Sequence, residues 1–220
     1  RSTLDRSSAA SDVYKRQDYA TVLDLILDAA GQERVNLVSC GGSSLTGATF
    51  AATRPERVER LVLESLVAYE TRAELIGWWE SMFADLVDEE RLVPKDDRVF
   101  YREKSNIYPE LTDDERRQVF AVQDADHEAH GRWWAEGLRS TQMRYDVNPF
   151  LSEIKAPTLL IYAEKSWQRT EKPEFGQRME ARLVETIPAA RLELIPETYG
   201  ECFFERAEQW TDMVLSLIHI

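Results

Sequence analysis

"VNLVSCGGSSLTGATFAATRPERVERLVL", Val35 to Leu63, decides the fold. "RVNLVS" (34–39) is a short apolar run of the kind that forms a buried strand. "SLTGATFAATRP" (44–55) is small and apolar and stops at Pro55, as a helix does. "RLVLES" (60–65) is a second strand. Between the first strand and the helix stand Cys40, Gly41, Gly42, Ser43 and Ser44, a set suited to a tight turn. Strand, helix and strand in so short a span imply a right-handed parallel crossover, hence an α/β sheet.

Working outward, "YATVLDLILDAAG" (19–31) carries Val22, Leu25, Ile26 and Ala29 at helical spacing, with Gly31 as a C-cap. Beyond the second strand the pattern changes. "AELIGWWESMFADLV" aligns Leu75, Met82 and Leu86 with Trp78 or Trp79 on one helical face. "LTDDERRQVFAV" opens with a capping box, Thr112 to Glu115. "HEAHGRWWAEGLRS" reads as helix with a break at Gly131. No strand signal interrupts this region, so it is expected to be a helical insertion. The α/β pattern then returns: "PTLLIYAE" as strand, "PEFGQRMEARLVETI" as helix, "RLELIPE" as strand, "FFERAEQWTDMV" as a closing helix.

In this order, "ATRPERVERLVLES", "NPFLSEIKAPTLLIYAEKS" and "IPAARLELIPE" resemble the C-terminal two-thirds of the α/β-hydrolase superfamily. The resemblance covers nearly all of 19–214. It implies strands five to eight of that fold, with a helical cap after strand six. Residues 18–66 and 148–214 would form the core and 67–147 the cap. Strands one to four, with the loop giving half of an oxyanion hole, are expected to precede Asp18.

In that family the nucleophile stands in a small-x-Ser-x-Gly turn between strand and helix. The strand side, with Ser39 as the first small residue, places the apex at Gly41. Counting back from Pro55 by the family's spacing reaches the same residue. The acid position after the next-to-last strand falls on Ser166, and the histidine position, counted on from Ile195-Pro196, on Gly200. All three depart from the triad. A serine hydroxyl is a weak nucleophile without a base, so loss of the imidazole is the gravest departure. The resemblance therefore implies a pseudo-hydrolase, a binding or sensory module, with the Gly42 N–H as the remaining oxyanion-type donor. Cap aromatics Trp78, Trp79, Trp133 and Trp134 could roof an apolar pocket, although helix-spaced aromatics are more often core. An active enzyme would need Ser43, Ser44 or Cys40 as nucleophile and Glu64 or Glu164 as acid. A truncated hydrolase fragment is the further alternative.

The bulk numbers narrow the partners. The chain of 220 residues has a formal charge of -13, which phosphate backbones and anionic lipid would repel. A small apolar or ester-like ligand is expected, with no nucleic acid and no membrane. No apolar run approaches about 18 residues, the length that spans a bilayer. Cys40 and Cys202 make no disulfide framework, so a cytoplasmic setting is the default. "DADHEAH" places His127 and His130 near Asp124 and Asp126, but an exposed acidic helix accounts for it. No metal and no cofactor are expected.

Both ends read as foreign. GATGTGTATAAGAGACAG encodes Asp12 to Gln17, and its reverse complement encodes Leu215 to Ile220. This DNA resembles a transposon-end sequencing adapter. Residues 1–17 and 215–220 are thus expected to be tails outside the fold. A fused signalling domain lost by truncation is an expectation of the same kind.

Overall fold

The computed structural model describes residues 19–71, 73–77, 87–88, 93–94, 112–115, 117–118, 121, 145–170, 172–200 and 202–218. Eight principal elements follow in chain order: α1 (19–29), β1 (Val35–Cys40), α2 (Ser43–Thr53), β2 (Val58–Glu64), β3 (Thr158–Ala163), α3 (Pro173–Thr186), β4 (Ala190–Ile195) and α4 (Ala207–Ile218). The four strands form one parallel sheet in the order β1-β2-β3-β4. Cys40 pairs with Glu64, and Glu64 with Ile161, so the strands' carboxyl ends line up along one edge.

β3 is buried at every position, as a central parallel strand must be. β2 alternates: Leu61 and Leu63 join the core shared with α2 and α3, while Val62 joins the core shared with α4. α2 lies against β1 and β2 because it is built from small residues. A Cβ at Gly47 would meet Ser39 Oγ at 2.3 Å and Ser39 Cβ at 2.8 Å.

The insertion's two ends meet on α3. The Asn148 amide donates to the Tyr69 carbonyl, and Arg182 Nη1 donates to Asn148 Oδ1 at 2.6 Å. Arg178 reaches both Glu70 and Glu74, at 2.8 and 2.6 Å. The expected capping box is present: Thr112 N–H donates to Glu115 Oε2 at 2.9 Å, and Glu115 N–H to Thr112 Oγ1 at 3.3 Å. The Thr112 hydroxyl, which donates to Glu115 Oε2 at 2.7 Å, and the Thr112 N–H hold the Glu115 carboxyl below the usual carboxylate range. Most of 67–147, including Trp78, Trp79, Trp133 and Trp134, lies outside the described residues.

Three expectations need correction. A two-residue antiparallel ladder, Val87–Asp88 with Val93–Pro94, interrupts the insertion read as wholly helical. In α1 the face that packs is Ala20 with Leu27, while Val22, Leu25 and Ile26 are 50 to 62% exposed. The helix carries two apolar stripes, and the described residues provide a partner for one. The closing helix is broken at Arg206 into Cys202–Glu205 and α4. α4 continues to Ile218, Leu217 is buried, and Arg191 Nη2 donates to Ser216 Oγ at 2.6 Å. A run of leucine, serine and isoleucine contains no helix breaker and extends the stripe begun by Val214.

Candidate functional site

The turn after β1 opens the site. Gly41 has φ +54, and its N–H donates to the Glu64 carbonyl at 2.9 Å. This left-handed backbone costs glycine nothing. A Cβ built at Gly41 would have no neighbour within 4 Å. Gly42 precedes α2 directly, so its N–H stands at the helix N-terminus.

The candidate nucleophiles differ sharply in access. Ser44 is fully buried, and its hydroxyl shares its one hydrogen between the carbonyls of Ser39 and Glu64, 2.9 and 2.7 Å away. It serves as a pin between β1, β2 and α2, out of reach of any substrate. Ser43 is exposed, and its hydroxyl donates to the Cys40 carbonyl at 2.7 Å while accepting the Cys40 N–H at 3.1 Å. Cys40 stands opposite Glu64 in the β1–β2 ladder.

At the end of β3, Ser166 is 6% exposed, and its hydroxyl has no hydrogen-bond partner among the described residues. Glu164 is exposed, and its Oε2 accepts the Glu197 N–H at 3.1 Å. That bond, with Lys165 N–H donating to the Thr198 carbonyl at 2.9 Å, joins the Ser166 loop to the Gly200 loop. Lys165 also pairs with Glu197 and lies over the Tyr199 ring, 5.7 Å from its centroid.

At the Gly200 loop a carboxylate does the holding. Glu205 is buried and accepts Tyr199 N–H at 2.9 Å and Gly200 N–H at 2.9 Å. Glu64 is 1% exposed, and its carboxylate accepts the Cys202 N–H and the Trp210 indole N–H, each at 2.9 Å. Burial pushes the Glu64 carboxyl above the usual carboxylate range, against the hydrogen bonds from Cys40, Trp210 and Cys202. Burial, with Glu64 beside it, pushes the Cys202 thiol up as well. Cys202, Glu205 and Trp210 carry no signal in the sequence, since Glu64 is 138 and 146 residues from its partners Cys202 and Trp210.

Gly41, Ser166 and Gly200 thus stand on three loops at one edge of the sheet, joined by hydrogen bonds. His127, His130 and His219 lie outside the described residues. No group of three or more metal-ligating side chains occurs among the described residues. An open groove of about 520 Å³ runs from Gly42 and Ser43 along β1 to Tyr19, Val22 and Ile26 of α1. No charged side chain among the described residues lines it. No helix among the described residues is long and apolar enough to cross a membrane.

No protein-family model matches the sequence, and no curated protein matches it. Solved structures do match. An alpha/beta hydrolase enzyme from a Medee basin deep-sea metagenome library shares 18% identity over 91% of this chain and 70% of its own, with a TM-score of 0.66. MenH from S. aureus shares 19% identity over 91% and 73%, with a TM-score of 0.65. The enol-lactonase from Burkholderia xenovorans LB400 shares 20% identity over 93% and 73%, with a TM-score of 0.61.

Proposed function

On the partial α/β-hydrolase fold that this chain carries, we propose a non-catalytic module that binds a small, neutral, apolar or ester-like ligand at the turn between β1 and α2. The observation that carries this reading is Gly41, an apex at φ +54 with no side chain to attack a substrate. Ser166 and Gly200 support it, because neither can act as base or orient one. The Gly42 N–H at the start of α2 suits a carbonyl oxygen. The uncharged groove beside it suits an apolar body.

A second reading rests on Ser43, the one exposed hydroxyl of the turn. It is an ester hydrolase with a displaced nucleophile. Assay of p-nitrophenyl acetate and butyrate separates the two. The binding reading expects no turnover above that of Ser43→Ala, together with saturable thermal stabilisation by short esters or lactones. Turnover that disappears in Ser43→Ala overturns it in favour of the second. Gly41→Ser is expected to fold, since its Cβ has open space, at a cost of about 1 kcal/mol for a side chain at positive φ. It is expected to remain inactive in the same assay for want of a base.

A further inference from the structure

Two hydrogen-bond donors from distant parts of the fold converge on one buried carboxylate. Glu64 Oε1 accepts the Cys202 N–H at 2.9 Å, and Oε2 accepts the Trp210 Nε1–H at 2.9 Å. Each carboxylate oxygen thus has a donor, as a buried carboxylate requires. The group is 1% exposed and cannot reach a ligand. Its main chain does a second task, because its carbonyl accepts the Gly41 N–H.

We propose that Glu64 is the positioning residue of this site, holding the Gly41 turn with its main chain and the Gly200 loop with its side chain. Cys202 follows Gly200 by two residues, so a fixed Cys202 N–H fixes the end of that loop. Trp210 anchors the same carboxylate to α4, and Glu205 gathers the Tyr199 and Gly200 amides from the other side. The two halves of the site are thereby joined through a carboxylate, with no imidazole between them. A glutamine at 64 would keep one acceptor oxygen and turn an amide NH2 donor toward a group that needs an acceptor. The titratable groups facing Glu64 are Cys40 from β1 and Cys202 from the Gly200 side, with Glu205 beyond Cys202. α4 contributes the indole, which does not titrate.

The proposal concerns the same site as the binding reading, but its test needs no ligand. The measurement is ¹⁵N NMR of the full chain across pH, with the Trp210 indole assigned through Trp210→Phe. The expected result is that the Trp210 indole and the Cys202 amide move together through one midpoint above the ordinary carboxylate range. In Glu64→Gln that shared titration is absent, and the Cys202 amide exchanges with solvent about tenfold faster or more, while β3 amides are unchanged. A merely structural glutamate would lower the melting temperature on substitution without giving two remote protons a common midpoint. Unchanged Cys202 exchange in Glu64→Gln, or the same titration persisting there, overturns the proposal. If Glu64→Gln does not fold, the wild-type titration decides, and the lack of a shared midpoint overturns it. Failure of every ester to bind leaves these readouts untouched.

Discussion

Ser166 and Glu64 show how differently two buried polar side chains can be treated in one site. The Ser166 hydroxyl is removed from water and has no partner among the described residues. Such a group costs about 1–3 kcal/mol of desolvation. Ser166→Ala is therefore expected to raise stability by about 1 kcal/mol, read as a higher urea midpoint with an unchanged slope. A lower midpoint would mean that the hydroxyl has a partner. Glu64 is the opposite case, a buried carboxyl with a donor on each oxygen. From the sequence, Glu64 and Glu164 read alike, as spare acids near a strand end. The distinction arises from Cys202 and Trp210, which local sequence does not bring near Glu64.

At the scale of elements, α2 shows what pattern can reveal. Its run of serine, threonine, glycine and alanine announces a helix pressed against a sheet, and the structure gives the reason at Gly47. A methyl there would overlap both side-chain atoms of Ser39, so rotating the hydroxyl gives no relief. Gly47→Ala is expected to destabilise the protein by about 1–3 kcal/mol despite alanine's better helix propensity. Chemical denaturation measures this, and a stabilised variant would show that α2 can move off β1. α1 shows the limit of pattern. Its spacing identifies a helix but does not choose between two apolar stripes, a choice that depends on what stands beside β1. α4 errs in the other direction, since adapter-like residues that suit a helix continue one.

For the whole molecule, the raised Glu64 carboxyl couples the site to global stability. A carboxyl whose folded value lies above its unfolded value binds its proton more tightly in the folded state. Its contribution is full below the ordinary value of 4.5 and is lost as pH rises through the raised folded value. The stability of the wild type relative to Glu64→Gln is thus expected to fall over that window. Urea midpoints of both proteins from about pH 4 to about pH 8 test this. A difference that rises with pH would mean that the hydrogen bonds outweigh burial.

The sequence alone determined the parallel α/β sheet and the place of the turn after its first strand. Each depends on local chemistry: apolar runs set strands, small residues permit the close packing of α2, and glycine permits φ +54. Tertiary structure alone decided that Ser44 is a buried pin, that the Ser166 hydroxyl has no partner among the described residues, that α1 packs through Ala20 and Leu27, and that Glu64 gathers Cys202 and Trp210. Those facts depend on contacts between segments far apart in the chain. Burial and hydrogen-bond satisfaction are properties of such contacts, which local periodicity and motif spacing do not encode.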